Sequence, residues 1–372
     1  MEKKTNSYKP EWVPENAGKE FTTKVIKGAD ALKKDSQSQS LKRKVLSTEE
    51  YVNGVINQDR VTLARTITLI ESNSPVHFEI AQSVLKHLLP YSGKSLRIGI
   101  TGMPGAGKST LIESLGLYLI KSGLKVAVLA IDPSSSLTKG SILGDKTRME
   151  QLSREKNCFI RPSPSGGNLG GVARKSRETM LVCEAAGYDV ILVETVGVGQ
   201  SEITVRSMVD FFLLVMIAGA GDELQGIKKG VVELADLILI NKADGDNKKR
   251  AELTKSDFSM ALKYIAPATK GWKTAVQTAS ALNGIGIDKL WDTIKHFEET
   301  TKQSGVYYER RRKQMLEWTF NIIDETLKDN FYNNKTIQKE LPEIKTKVLN
   351  GVLLPTSAAE ILIKIYSDVF RR

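Results

Sequence analysis

The 372-residue sequence is 41% hydrophobic and 26% charged, the composition of a globular chain holding one large α/β domain with appendages, or two domains. Its formal charge of +11 raises nucleic-acid binding, but the excess is spread along the chain and the basic runs at 42–44 and 310–313 carry no interleaved aromatic residues, so no nucleic-acid partner is expected. Two cysteines, Cys158 and Cys183, are too few for a disulfide framework or metal cluster, no stretch approaches the roughly 18 apolar residues of a membrane span, and the N-terminus lacks an apolar leader and fits a transit peptide poorly; the expectation is a cytoplasmic protein without a membrane partner.

Residues 1–44 are polar and rich in Lys and Ser, and read as a flexible extension. A helical region over 45–91 follows. Ser47 and Glu50 have capping-box spacing, Val52, Val55 and Ile56 fall on one helix face, and Asn57-Gln58-Asp59 breaks it. Leu63, Ile67 and Ile70 predict a second helix, and a third spans 76–89 and stops at Pro90. From residue 92 to 304 short apolar runs alternate with helical stretches. Strands are predicted at 96–100, 126–131, 158–160, 190–193, 211–217, 237–240 and 274–278. Runs this apolar, separated by helices, describe a doubly wound, mostly parallel sheet covered on both faces. Residues 305–372 return to helix, with apolar stripes at Met315, Ile322, Ile323 and Leu327 and again at Leu362, Ile363 and Tyr366. Such stripes must be buried somewhere, on this chain or on a second copy.

The first motif that carries chemistry is Gly102-Met103-Pro104-Gly105-Ala106-Gly107-Lys108-Ser109-Thr110, which fits G-x-x-x-x-G-K-[ST] between a predicted strand and a predicted helix. Glycines let backbone N–H groups wrap a phosphate, the helix start adds partial positive charge, Lys108 reaches the β- and γ-phosphates, and the Ser109 hydroxyl binds Mg²⁺. Asn241-Lys242-Ala243-Asp244 follows the 237–240 strand. A carboxylate at Asp244 can accept from both N1–H and the 2-amino group of guanine, whereas adenine has no such donor pair; a helix-capping turn is the plainer alternative. Ser280, Ala281 and Leu282, after the next strand, resemble the second guanine-contacting loop of GTPases. Asp132 and Glu194 each follow an apolar strand and are candidate Mg²⁺ ligands, with a helix N-cap as the alternative for either alone. Glu194-Thr195-Val196-Gly197 has D-x-x-G spacing with Glu for Asp; Gly197 would donate to a γ-phosphate and Gln200 would orient a water. No histidine or cysteine is placed to act as a base, so catalysis would rest on positioning and charge neutralisation.

Taken with Asp132-Pro133-Ser134-Ser135 and Gly144-Asp145-Lys146-Thr147-Arg148-Met149, these motifs closely resemble the MeaB/ArgK/MMAA family, the GTPase chaperones of methylmalonyl-CoA mutase. The resemblance covers roughly residues 45–370. It implies a homodimeric P-loop GTPase with helical extensions, the 305–372 segment being a dimerisation arm. It also implies a protein that gates loading of adenosylcobalamin onto a B12-dependent acyl-CoA mutase, the cofactor belonging to the partner and not to this chain. Carried over by motif, Asp132 and Asp145 lie in one switch near Mg²⁺ and Glu194 in a second. Arg148 lies on a switch surface, and Asp222, a further catalytic candidate, falls with Lys228 in an extra switch facing the mutase. A nickel-type GTPase metallochaperone and a small-molecule kinase stay open as alternatives.

Overall fold

The computed structural model describes residues 46–131, 149–162, 169–195, 201–218 and 229–369. Three helices come first, α1 (Thr48–Ile56), α2 (Arg60–Glu71) and α3 (Pro75–Leu88). The capping box forms: the Glu50 N–H donates to Ser47 Oγ at 3.1 Å and the Ser47 N–H to Glu50 Oε2 at 2.7 Å. Asp59 caps α2 by accepting from the N–H groups of Val61 and Thr62. α3 ends slightly earlier than the sequence predicts, and Pro90 sits inside a 3₁₀ turn, Leu89–Tyr91, where its missing N–H costs nothing.

Seven strands follow: β1 (Leu96–Gly102), β2 (Val126–Ile131), β3 (Cys158–Arg161), β4 (Val190–Thr195), β5 (Phe211–Ile217), β6 (Leu237–Asn241) and β7 (Ala275–Thr278). They form one sheet, parallel at every pairing, in the order β3-β2-β4-β1-β5-β6-β7. The remaining helices are α4 (Lys108–Lys121), α5 (Glu150–Arg154), α6 (Leu169–Ala185), α7 (Ser201–Arg206), α8 (Lys229–Val232), α9 (Asn247–Ala261), α10 (Ile287–Gln303), α11 (Val306–Tyr332), α12 (Lys335–Leu349) and α13 (Pro355–Val369).

Strand residues alternate between two buried layers. Ile98, Ile100, Val128, Leu192 and Leu213 pack with Leu111, Ile112, Leu115 and Leu119 of α4 and with Leu290, Ile294 and Phe297 of α10. Burying each of the four α4 side chains stabilises by about 1.5–3 kcal/mol, which fixes the helix whose first residue is Lys108. On the other layer Leu129, Ile191, Val193 and Phe212 share a core with Val55, Leu63, Ile67 and Val84 of the three N-terminal helices. The N-terminal helices pack on α6, which lies on this face of the sheet and contributes Val172, Met180 and Cys183 to the same core.

One correction concerns Glu194. The sequence ends the fourth strand at Val193, but β4 continues through Glu194 and Thr195 because β1 and β2 flank it on both sides: Glu194 pairs beside Ile100 and Ala130, and Thr195 beside Ile131. Ladder partners on both sides keep the chain extended past the apolar run.

α11 has 27 residues, about 40 Å of helix. Its start is anchored on the sheet, with Tyr307 and Gln314 buried, but Met315, Leu316, Phe320 and Leu327 are each more than half exposed. α12 and α13 pack on each other, and Phe331 of α11 meets Tyr366 of α13 with ring centroids 5.2 Å apart. Among the described residues no helix is long and apolar enough to cross a membrane. Both cysteines are buried, and burial pushes the Cys158 thiol up to about 12, so it is inert at neutral pH.

Candidate nucleotide site

β1 lies where the strand order reverses, between β4 and β5, and the crevice beyond its C-terminal end is where an open α/β sheet takes ligands. The chain leaves β1 at Gly102, where a Cβ would stand 2.1 Å from the Val215 carbonyl oxygen. A side chain at that position would collide with backbone. Gly107 caps α4 with φ +84°, and its missing Cβ would lie 2.7 Å from Asn241 Nδ2. Between them the chain turns over Met103, the exposed Pro104 and Gly105, and the buried Ala106, bringing the first N–H groups and positive end of α4 to the crevice. Thr110 is half-buried in the first turn.

Lys108 folds back over the loop, its Nζ donating to the carbonyls of Gly102 at 2.8 Å and Met103 at 3.1 Å. Burial pushes its ammonium below the ordinary lysine range, and the charges of Glu194 and Glu202 pull the other way. Ser109 Oγ donates to Glu194 Oε1 at 3.1 Å, so the hydroxyl and the carboxylate reach one point from α4 and β4. Thr195 Oγ1 donates to Thr101 Oγ1 at 2.8 Å, fixing the ends of β4 and β1 side by side.

A second cluster abuts the first. Asn241, the last residue of β6, is buried; its Nδ2 donates to the Ala106 carbonyl at 2.8 Å and its Oδ1 accepts from the Ala281 N–H at 3.0 Å. Lys242 takes φ +58°, unusual for a side chain of its size, and its Cε lies 3.9 Å from the Cβ position of Gly107. The Ala243 N–H donates to Ala279 O at 3.0 Å, and the Ser280 hydroxyl donates to the Asp244 carboxylate. Leu282 is 81% exposed at the rim. The residues at 241–244 and 280–282 thus form one wall beside the glycine-rich loop. Asp132, Asp145, Arg148, Gly197, Gln200, Asp222 and Lys228 lie outside the described residues.

The residues present fit a Mg²⁺-bound phosphate. Glycines open the cradle, and the Ser109 hydroxyl meets the Glu194 carboxylate. Glu202, in the first turn of α7, is 6% exposed, and its Oε2 has no hydrogen-bond partner among the described residues. Among those residues no group of three His, Cys, Asp or Glu could hold a metal. An ion here would share its ligands with phosphate and water, as Mg²⁺ does. Sequence reasoning did not single out Glu202; the available signal was an acid three residues before the apolar Val205 on one helix face.

Two buried carboxylates at the opposite edge of the sheet, just before β5 and β6, were also missed. Asp210 accepts from the Arg97 N–H at 2.8 Å, from Arg311 Nε at 2.7 Å and Nη2 at 2.6 Å, and from Tyr307 Oη at 3.2 Å. Asp236 accepts from Arg206 Nη1 at 2.8 Å and the Phe212 N–H at 2.9 Å. These pairs fasten α11 and α7 to the sheet.

An all-parallel, doubly wound sheet carrying strand, glycine-rich loop and helix at its reversal point defines a P-loop nucleotide-binding protein. Residues 63–336 match the family described as methylmalonyl Co-A mutase-associated GTPase MeaB, and the chain belongs to that family. It is 48% identical to GTPase ArgK of Escherichia coli (strain K12), over 82% of this chain and 92% of that protein. It is 50% identical to a probable GTPase of Mycobacterium tuberculosis (strain ATCC 25618 / H37Rv), over 82% and 91%. The mitochondrial methylmalonic aciduria type A homolog of Mus musculus is 43% identical over 86% of this chain and 80% of that one. Among solved structures, a LAO/AO transport system kinase matches with a TM-score of 0.71 and 38% identity, covering 87% of this chain and 100% of that one. The bacterial relatives are named GTPases, which places GTP hydrolysis at the level of the family.

Proposed function

We propose that this protein is a GTP-hydrolysing switch that chaperones an adenosylcobalamin-dependent methylmalonyl-CoA mutase, gating cofactor loading and protecting or reactivating the mutase. The observation that carries the nucleotide reading is the Asn241 side chain, which ties the Ala106 carbonyl of the glycine-rich loop to the Ala281 N–H. The mutase assignment is supported by the family, whose description names that enzyme.

In this reading the backbone of residues 102–110 cradles the phosphates and Lys108 turns from the carbonyls of Gly102 and Met103 to the β- and γ-oxygens. Ser109 and Glu194 hold Mg²⁺ with help from Asp132 and Asp145. The ion, when bound, supplies charge neutralisation on the phosphoryl oxygens. Gly197 donates to the γ-phosphate and Gln200 orients the attacking water. Asp244 accepts from N1–H and the 2-amino group of guanine, while Asn241, Lys242, Ser280, Ala281 and Leu282 form the wall on which the base lies. Asp222 and Lys228 belong to the segment that meets the mutase. The protein works as a homodimer through the α11–α13 arm, a reading supported by the exposed apolar side chains of α11, and it acts in the cytoplasm. Adenosylcobalamin stays with the partner.

Isothermal titration with GDP and with ADP tests the nucleotide. GDP is expected to bind at least about 100-fold more tightly, because ADP lacks the N1–H and 2-amino donor pair and leaves the Asp244 carboxylate with the Ser280 hydroxyl alone. Equal affinity would contradict the reading.

A further inference from the structure

We propose that Glu202 is a positioning residue that makes nucleotide binding here depend on Mg²⁺, its free carboxylate oxygen accepting from the water shell of the phosphate-bound ion. The proposal rests on the reading of residues 102–110 as a nucleotide cradle.

α7 packs tightly on β1: Val205 Cγ1 stands 2.9 Å from where a Cβ on Gly99 would be. Glu202 lies three residues before Val205, one turn along the same helix face. In a strand–helix–strand unit the helix runs back against the strand direction, so this turn lies toward the C-terminal end of β1, where Gly102 and Lys108 stand.

Glu202 is 6% exposed, and its Oε2 is buried without a hydrogen-bond partner among the described residues. A buried acceptor left in that condition costs free energy and persists where something else supplies the donor. Lys108 is not that donor here: two of its three ammonium hydrogens go to the carbonyls of Gly102 and Met103, and Oε2 has no partner among the described residues.

Charge balance identifies the missing donor. Glu194 and Glu202 both act on the Lys108 ammonium. Adding the phosphates of a nucleotide to two carboxylates and one ammonium leaves a large negative excess in a buried setting. A divalent cation relieves it, and Mg²⁺ keeps several water ligands, each a hydrogen-bond donor suited to an unclaimed carboxylate oxygen.

The test is the affinity of the protein for fluorescent mant-GDP, measured in excess Mg²⁺ and in EDTA, for wild type and Glu202→Gln. The ratio of the two affinities reports the coupling between ion and nucleotide. It is expected to fall at least about 10-fold in E202Q, a shift within the usual range of such couplings. The nucleotide-free variant should melt no lower than wild type, because Oε2 has no hydrogen bond to lose. An unchanged ratio in E202Q, with normal wild-type affinity, overturns this proposal alone. A lowered melting temperature in the nucleotide-free variant would reveal a structural partner for the carboxylate and also overturn it. Absence of GDP binding by the wild-type protein would instead sink the nucleotide reading, and this proposal with it.

Discussion

The Asn241 side-chain amide donates to the Ala106 carbonyl at 2.8 Å, joining the end of β6 to the glycine-rich loop that follows β1. The same side chain accepts from Ala281, so one buried amide sets the spacing between the glycine-rich loop and the segment at 280–282.

Asn241→Ala is expected to destabilise the protein by about 1–3 kcal/mol, since the Ala281 N–H and the Ala106 carbonyl lose their partners in a buried place. It should also weaken GDP binding, as the two halves of the site lose their tether. Denaturant unfolding and GDP titration of the variant check both effects.

Asp244→Ala separates base selection from phosphate binding. If Asp244 accepts two hydrogen bonds from guanine as proposed, removing its carboxylate lowers GDP affinity at least about 100-fold. ADP affinity should change little, so the preference collapses. Paired titrations with the two nucleotides read this directly.

Acid titration probes the scaffold. Burial alone would push the Asp210 carboxyl up, but hydrogen bonds and charge from Arg311, with Arg97 behind them, hold it below its ordinary value of 3.8. A depressed carboxylate contributes its stability in full above the ordinary value and loses it as pH falls through the folded one. Wild-type unfolding midpoints should therefore drop steeply below about pH 4. Asp210→Asn should lose about 3–5 kcal/mol at neutral pH, because Arg311 is left buried without its counter-charge, and should show a shallower acid limb. Urea unfolding between acid and neutral pH compares the two.

These cases mark what could be read from residue order. Strand positions were legible because parallel strands buried on both faces are continuous apolar runs, as at Phe211–Ile217. The glycine-rich loop and residues 241–244 were legible because their chemistry is local in the chain. Glu194 was displaced by one strand end because ladder pairing to Ile100 and Ala130 is non-local. Asp210 and Arg311 stand 101 residues apart, and nothing in either neighbourhood announces the other. Glu202 was missed for a related reason: an acid in a helix's first turn reads as a solvated cap until the packing of Val205 on Gly99 places it inside.

The arm yields a further prediction. Leu316 and Phe320 are both 62% exposed on α11. If a second copy covers them, Leu316→Glu combined with Phe320→Glu should convert a dimer to a monomer in sedimentation velocity while leaving the melting temperature of the monomer intact. A variant of unchanged mass would place the dimer contact elsewhere.

The switch role itself is tested most directly by measuring the affinity of this protein for methylmalonyl-CoA mutase without nucleotide, with GDP, and with a non-hydrolysable GTP analogue. Affinities should differ between nucleotide states by roughly 5-fold or more, the lower end of ordinary allosteric coupling. The same affinity in all three states, or no complex in any, would contradict it.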